Sequence, residues 1–267
     1  MSRTYVVTGA ASGIGAATAA MLREQGGRVI TVDQRDADVV ADLSTPAGRN
    51  AAVAGVQALT DVVHGLVPCA GIAGLTGVDS ALVVSVNYFG AVALVRGLQP
   101  QLAAAGSSGV VFLASNSITG QPGWNAEVAA LCLREDEEAA RAAAARVEAV
   151  MVYPATKGAL AWFARREGVK PEWIGAGIRM NSVAPGKIAT PMTEQLAHDP
   201  VFGPLSEAYP SAVNRSGRPE EIAGPICFLL SDAASLMVGS VVYVDGGTDA
   251  ILHPIAPEGW DVGPIEV

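Results

Sequence analysis

The chain has 267 residues, half of them hydrophobic and 16% charged, with a net charge of −9. That apolar content suits one globular domain with a sizeable core, and an acidic surface without a basic stripe argues against nucleic-acid partners. No apolar run free of Gly, Pro and Asn reaches the length of a bilayer span, and "MSRTYVVTGA" enters a strand with no leader-like apolar stretch.

In chain order, "TYVVT" (4–8) reads as a first strand, followed by the glycine turn "TGAASGIG" and a helix over 13–26. A turn of this kind, with Gly9, Ser12, Gly13, Ile14 and Gly15, lets the backbone approach a pyrophosphate and aims a helix N-terminus at it. The second strand, "RVITVD" (28–33), ends in Asp33. A carboxylate there accepts hydrogen bonds from the adenosine ribose and repels a 2′-phosphate, so NAD is preferred over NADP. "ADLS" then places Asp42 and Leu43 after a short strand, where they flank the adenine; a capping or loop role for Asp42 is the alternative.

"GLVPCA" (65–70), "GVVFLAS" (109–115), "IRMNSVA" (178–184) and "SVVYVD" (240–245) read as further strands. They are apolar without polar alternation, as expected of parallel strands buried on both faces. Helices over 80–104, 152–167 and 219–231 alternate with them. The fold class is therefore α/β: a Rossmann-type doubly wound parallel sheet in three layers, a single domain over 1–250. Residues 125–149 read as an exposed helical insert in which Glu137 and Arg141 pair at i, i+4. Residues 187–217 read as a substrate-side lid, and 251–267, with "HPIAPEGW", as an extended or disordered tail. Cys69, Cys132 and Cys227 are far apart in apolar surroundings, the pattern of reduced thiols in a cytoplasmic protein. His64, His198 and His253 lack ligand spacing, so no metal is expected.

"MVYPATKGAL" places Tyr153 and Lys157 one helical turn apart. Two residues at that spacing are neighbours on any helix, so the pair alone decides nothing. Together with the glycine turn, and in this order, it resembles the short-chain dehydrogenase/reductase family from residue 3 to about residue 250. On that resemblance Asn87 in "VSVNYFGA" is the helix asparagine, Ser115 at the end of "VVFLAS" the catalytic serine, and Tyr153 and Lys157 the catalytic YxxxK pair. "NSVAPGKIATPM" is similar to the family's cofactor-side loop, which implies that Pro185, Gly186, Ile188 and Thr190 border the nicotinamide. "GRPEEIA" and "VDGG" match its late structural motifs. Within the family, "VVSVNYFGA", the long insert before the tyrosine and "DGGTDAILHP" resemble the bacterial hydroxysteroid dehydrogenase/carbonyl reductase branch.

Three features depart from the family pattern. Its NNAG turn is here Pro68-Cys69-Ala70-Gly71, so Cys69, Ala70 and Gly71 meet the cofactor without the usual asparagines. Pro154 suits a first helical turn, which predicts that the helix starts at Tyr153. The long gap between serine and tyrosine leaves Ser117 as the alternative to Ser115; the two share a face if the strand runs through both.

The implied activity is NAD-linked interconversion of a secondary alcohol and a ketone. Tyr153 is the acid/base, its pKa expected below the ordinary value near 10 because of the Lys157 ammonium. Ser115 binds the substrate oxygen, Lys157 also holds the nicotinamide ribose, and Asn87 helps hold a water linking the lysine to solvent. Met192, Leu196, Phe202, Leu205 and Tyr209 on the lid, with Trp124 and Ile118, suggest a bulky hydrophobic alcohol such as a steroid or terpenoid. A hydroxyacyl, ketoacyl or sugar-alcohol substrate is the alternative, and a non-catalytic NAD-binding regulator the rival from another class. A homodimer or homotetramer is expected, with no membrane partner.

Overall fold

Strands whose residues are apolar on both faces gain most when helices cover both sides of their sheet. In the computed structural model, which describes residues 2–204 and 209–255, the strands are β1 (Thr4–Thr8), β2 (Arg28–Asp33), β3 (Val39–Val40), β4 (Gly65–Pro68), β5 (Ser108–Leu113), β6 (Ile178–Pro185) and β7 (Val241–Val244). All pair in parallel, in the order β3-β2-β1-β4-β5-β6-β7. Chain order reverses between β1 and β4, where Val7 lies opposite Val67 and Thr8 opposite Pro68. Doubly wound sheets bind ligands beyond the carboxyl ends of the strands at such a reversal.

The helices are α1 (Gly13–Glu24), α2 (Pro46–Leu59), α3 (Ser80–Gly97), α4 (Gln99–Ala104), α5 (Ser117–Gly120) and α6 (Ala126–Leu133). They continue with α7 (Glu137–Ala144), α8 (Ala149–Glu167), α9 (Pro191–Ala197), α10 (Pro219–Leu230) and α11 (Thr248–Leu252). Successive strand residues point to opposite faces. Tyr5, Val7, Val111 and Leu113 accordingly share a core with Leu22 of α1 and Ile222 and Ile226 of α10. Val6, Val110 and Phe112 share the other with Val56 of α2, Tyr88 and Leu94 of α3, and Leu160 and Phe163 of α8.

α3 is 18 residues long with a mean hydropathy of 1.4, long and apolar enough to cross a membrane, but it contains Asn87, Gly90 and Gly97 and 72% of it is buried in the fold. Its apolarity is that of a central core helix. Four sequence expectations need correction. The segment 80–104 is two helices parted at Leu98, and within α3 residues Ser85–Gly90 form a π-helical stretch around Asn87. The insert 125–149 is two short helices rather than one exposed one: Val128, Cys132, Ala140 and Ala144 are wholly buried. Glu137 pairs with Arg49 instead of Arg141.

The fourth correction concerns α8, which starts at Ala149 and so encloses Pro154 in its second turn. Proline has no N–H to give the carbonyl four residues earlier, here Val150. Gln121 Nε2 donates to that Val150 oxygen at 2.9 Å, and Asn125 N–H to the neighbouring Met151 oxygen at 3.2 Å. The chain before the insert thus closes the opening the proline leaves. Gln121→Leu strands that carbonyl, and chemical denaturation should show a loss of about 1–3 kcal/mol.

Candidate active site

The turn after β1 depends on two left-handed glycines, Gly9 at φ +63° and Gly13 at φ +55°. A Cβ on Gly9 would lie 2.8 Å from the Ala70 nitrogen and Cα, so the β1 and β4 loops touch through backbone alone. The Thr8 hydroxyl accepts from Ala70 N–H at 2.9 Å, fastening them. Helix α1 begins at Gly13 after an extended Ser12 that makes no side-chain cap bond. Its first N–H groups therefore face the cleft for an anion to use. Asp33 sits at the rim, its carboxylate accepting from Ala11 N–H at 3.0 Å and Gln34 N–H at 2.7 Å.

A cleft of about 300 Å³ follows the carboxyl ends of the strands. Gly9, Ser12, Gly13, Ile14, Gly15, Asp33, Leu43, Cys69, Ala70, Gly71, Ser115, Tyr153, Lys157, Pro185, Gly186, Ile188 and Thr190 line it. Asp42 does not: its carboxylate is turned onto Ser44, accepting from the N–H at 2.9 Å and the hydroxyl at 2.8 Å. It is the loop acid of the alternative reading. Asn87 also stands behind the wall, fully buried, with its amide clasping the Ile72 backbone through N–H to Oδ1 at 2.8 Å and Nδ2 to the carbonyl at 3.0 Å. That clasp seats Gly71 between Asn87 and Lys157.

On α8, Tyr153 and Lys157 point the same way into the cleft. Lys157 is 5% exposed and donates to the Leu113 carbonyl, the last of β5, at 2.9 Å. Strand β5 ends there, so Ser115 and Ser117 do not share a strand face. Ser115 Oγ accepts from Ser117 N–H at 3.1 Å and lines the cleft beside Tyr153, whereas Ser117 heads α5 and its buried hydroxyl has no partner among the described residues. Burial pushes the Tyr153 phenol up to about 12, with the Ser115 bond drawing it back only in part. Burial pushes the Lys157 ammonium down to about 8, opposed by Cys69. The expectation of a tyrosine below its ordinary value is therefore corrected. Desolvation of the phenolate outweighs the neighbouring ammonium, which contributes nothing comparable from its seat on Leu113. Burial also raises the Cys69 thiol to about 12.

The two ends of the segment expected as a lid lie side by side. Ala189 N–H to Gly217 O at 2.8 Å and Gly217 N–H to Lys187 O at 2.9 Å join its two ends. Thr190 caps α9 in a reciprocal box with Thr193 and packs against Gly13. Farther along, Asp199 accepts from Thr76 N–H at 2.7 Å, Thr76 Oγ1 at 2.9 Å and the N–H groups of Val201 and Phe202, both at 2.9 Å. Against the upward pull of burial, these bonds hold its carboxyl at about 2. These bonds join Asp199 to the loop after β4, and an isolated aspartate offers no sequence signal for them. Of the expected lid residues, Met192 lines the cleft and Leu205 lies outside the described residues. Tyr209 donates to Asn116 Oδ1 at 3.2 Å, and Trp124 Nε1 donates to the Ile118 carbonyl at 3.1 Å. Gln34 and Val86 also line the cleft, and sequence reasoning missed them.

The short chain dehydrogenase family matches residues 3–129, and Enoyl-(Acyl carrier protein) reductase matches residues 138–249. The chain is 37% identical to the 3-alpha-hydroxysteroid dehydrogenase/carbonyl reductase of Comamonas testosteroni, over 93% of this chain and 97% of that one. It is 34% identical to the cis-4-hydroxycyclohexanecarboxylate dehydrogenase of Sinomonas cyclohexanicum, with 93% and 97% covered. The crystal structure of the 3-alpha-hydroxysteroid dehydrogenase of Pseudomonas sp. B-0831, complexed with NADH, superposes with a TM-score of 0.89 at 40% identity, covering 95% of this chain and 99% of that one. With a glycine turn, a serine and a YxxxK pair meeting in one cleft at the sheet's reversal, the chain belongs to the short-chain dehydrogenase/reductase family and is an oxidoreductase.

Proposed function

We propose that the chain interconverts a secondary alcohol and a ketone with NAD, and that the substrate is a bulky hydrophobic alcohol of the hydroxysteroid kind. The observation that carries the reading is the convergence of Ser115, Tyr153 and Lys157 on the cleft that begins at the glycine turn. The residues fit a dinucleotide: uncapped N–H groups at the start of α1 suit a pyrophosphate, and the Asp33 carboxylate suits an unphosphorylated ribose. The NADH in the Pseudomonas relative supports the same choice. When bound, NAD supplies the hydride acceptor and NADH the donor.

The chain's own residues handle the proton. In ketone reduction Ser115 donates a hydrogen bond to the substrate oxygen as negative charge grows there, and Tyr153 gives its proton to that oxygen. With its phenol near 12, Tyr153 is protonated at neutral pH, the state reduction requires; alcohol oxidation requires the phenolate and gains as pH rises. Lys157, held on Leu113, is placed for the nicotinamide ribose, and Asn87 keeps the Gly71 turn against it. The free cysteines suit a reducing cytoplasm, and a homodimer or homotetramer is the assembly we expect.

The test is an NADH- and NADPH-absorbance screen of ketosteroids, terpene ketones, ketoses and ketoacyl thioesters. Turnover of a ketosteroid or terpene ketone with NADH favoured over NADPH is expected. Turnover confined to thioesters or sugars, or a preference for NADPH, would overturn the substrate or the cofactor assignment respectively.

A further inference from the structure

The insert between β5 and α8 reaches the cleft wall through an ion pair of a buried arginine with a half-buried glutamate. Arg49 of α2 is 4% exposed, and its two terminal nitrogens donate to the two Glu137 oxygens of α7 at 2.6 and 2.7 Å. Arg49 Nε donates to the Leu43 carbonyl at 2.8 Å, and Nη2 to the carbonyls of Ser44 and Ser85, both at 3.1 Å. The Ser85 hydroxyl donates to Glu137 Oε1 at 2.8 Å and accepts from Arg141. Against the cost of burial, the Arg49 and Ser85 bonds hold the Glu137 carboxyl below its ordinary value.

The three carbonyls that Arg49 grips lie at or beside two residues of the cleft wall. Leu43 lines the cleft, as does Val86 next to Ser85, on the stretch that also includes Gln34 and Ala41 beyond Asp33. That is the adenosine end under the function proposed above, on which this inference rests. Gly90 presses α3 directly onto Leu43, leaving 3.2 Å between its would-be Cβ and the Leu43 Cβ. A pair with one buried charge is a poor device for stability alone, because desolvation of that charge offsets much of the attraction. Its rigid planar fork is a good device for holding several carbonyls in one arrangement.

We propose that Arg49 and Glu137 are positioning residues for the adenosine half of the dinucleotide, through which the insert sets the pocket between Leu43 and Val86. Neither touches the cofactor; each acts through the backbone of the residues that do. The insert thereby tunes cofactor affinity from outside the cleft, with no part in the chemistry at Tyr153.

The test compares NADH with reduced nicotinamide mononucleotide, which carries the same reactive ring and no adenosine. In Glu137→Gln, the KM for NADH should rise about tenfold while kcat at saturation and kcat/KM with the mononucleotide stay within about twofold. Ser85→Ala, which keeps the ion pair and removes only the shared hydroxyl, should give the same split at about threefold and guards against a misfolded first variant. A parallel loss with both reductants, or no loss with NADH, overturns the proposal. If the unaltered protein binds neither NADH nor NADPH, the dinucleotide reading fails and takes this inference with it; binding by the unaltered protein with no change in the variants sinks the inference alone.

Discussion

Tyr153→Phe should lower turnover by about 10³-fold in both directions, within the range general acid–base groups contribute. The substitution removes one hydroxyl from a side chain that otherwise fills the same space. Ser115 keeps its bond from Ser117 N–H, and the glycine turn, Asp33 and Lys157 are untouched. Dinucleotide affinity by fluorescence titration should therefore stay within about twofold, which separates loss of the proton carrier from loss of binding. In the unaltered protein, alcohol oxidation should climb with pH through the alkaline range. Ketone reduction should hold until the tyrosine, near 12, begins to titrate. Retention of turnover by the variant would falsify the acid/base assignment.

Lys157→Met should abolish turnover and at the same time make the protein harder to melt. Burial lowers the folded-state pKa of Lys157 from 10.5 to about 8. Below the folded value the lysine is charged in both states, and the folded state bears the full cost of holding a charge away from water. Between about 8 and 10.5 the unfolded chain binds more protons than the folded one, so unaltered stability rises with pH across that window. Each pKa unit is worth about 1.36 kcal/mol, which puts the cost at about 3 kcal/mol at neutral pH. Losing the bond to Leu113 offsets about 1 kcal/mol of the relief. The melting temperature at pH 7 should then rise by about 4–8 °C, and the gain should shrink as pH passes from 8 to 10.5. A variant that is less stable at pH 7, or whose advantage does not depend on pH, would show that burial of this charge carries no such cost. A gain in stability at pH 7 would mark Lys157 as a group the fold tolerates rather than prefers, as expected where function and stability compete.

The sheet was legible because its strands are short apolar runs whose burial on both faces leaves one arrangement of layers open. The glycine turn was legible because backbone proximity, as of Gly9 to Ala70, admits no other residue type. What escaped was set by partners far away in the chain. Asp199 and Thr76 are 123 residues apart, and neither is marked by its neighbours. The insert reads as a surface helix because Glu, Arg and Ala dominate it. Yet Ala140, Ala143 and Ala144 are buried because their small side chains let α7 lie close against its neighbours. Spacing placed Tyr153 beside Lys157 but carried no information about the medium around them. Burial reversed the expected direction of the tyrosine's shift. Asp42 and Leu43 are adjacent in "ADLS", and only the leucine lines the cleft, because Ser44 holds the aspartate in its own turn.

Gln121 and Pro154 are far apart in sequence yet share one carbonyl. With a residue other than proline at 154, Val150 would receive a helical N–H and the glutamine would have nothing essential to supply. Substitutions at the two positions are therefore epistatic: the order in which they arise matters. An ancestor could acquire this proline at little cost only after the glutamine was in place, and a descendant loses the glutamine safely only after losing the proline. A chimera that takes the catalytic helix from this chain and the preceding loop from a relative would inherit the opening in α8 without what closes it.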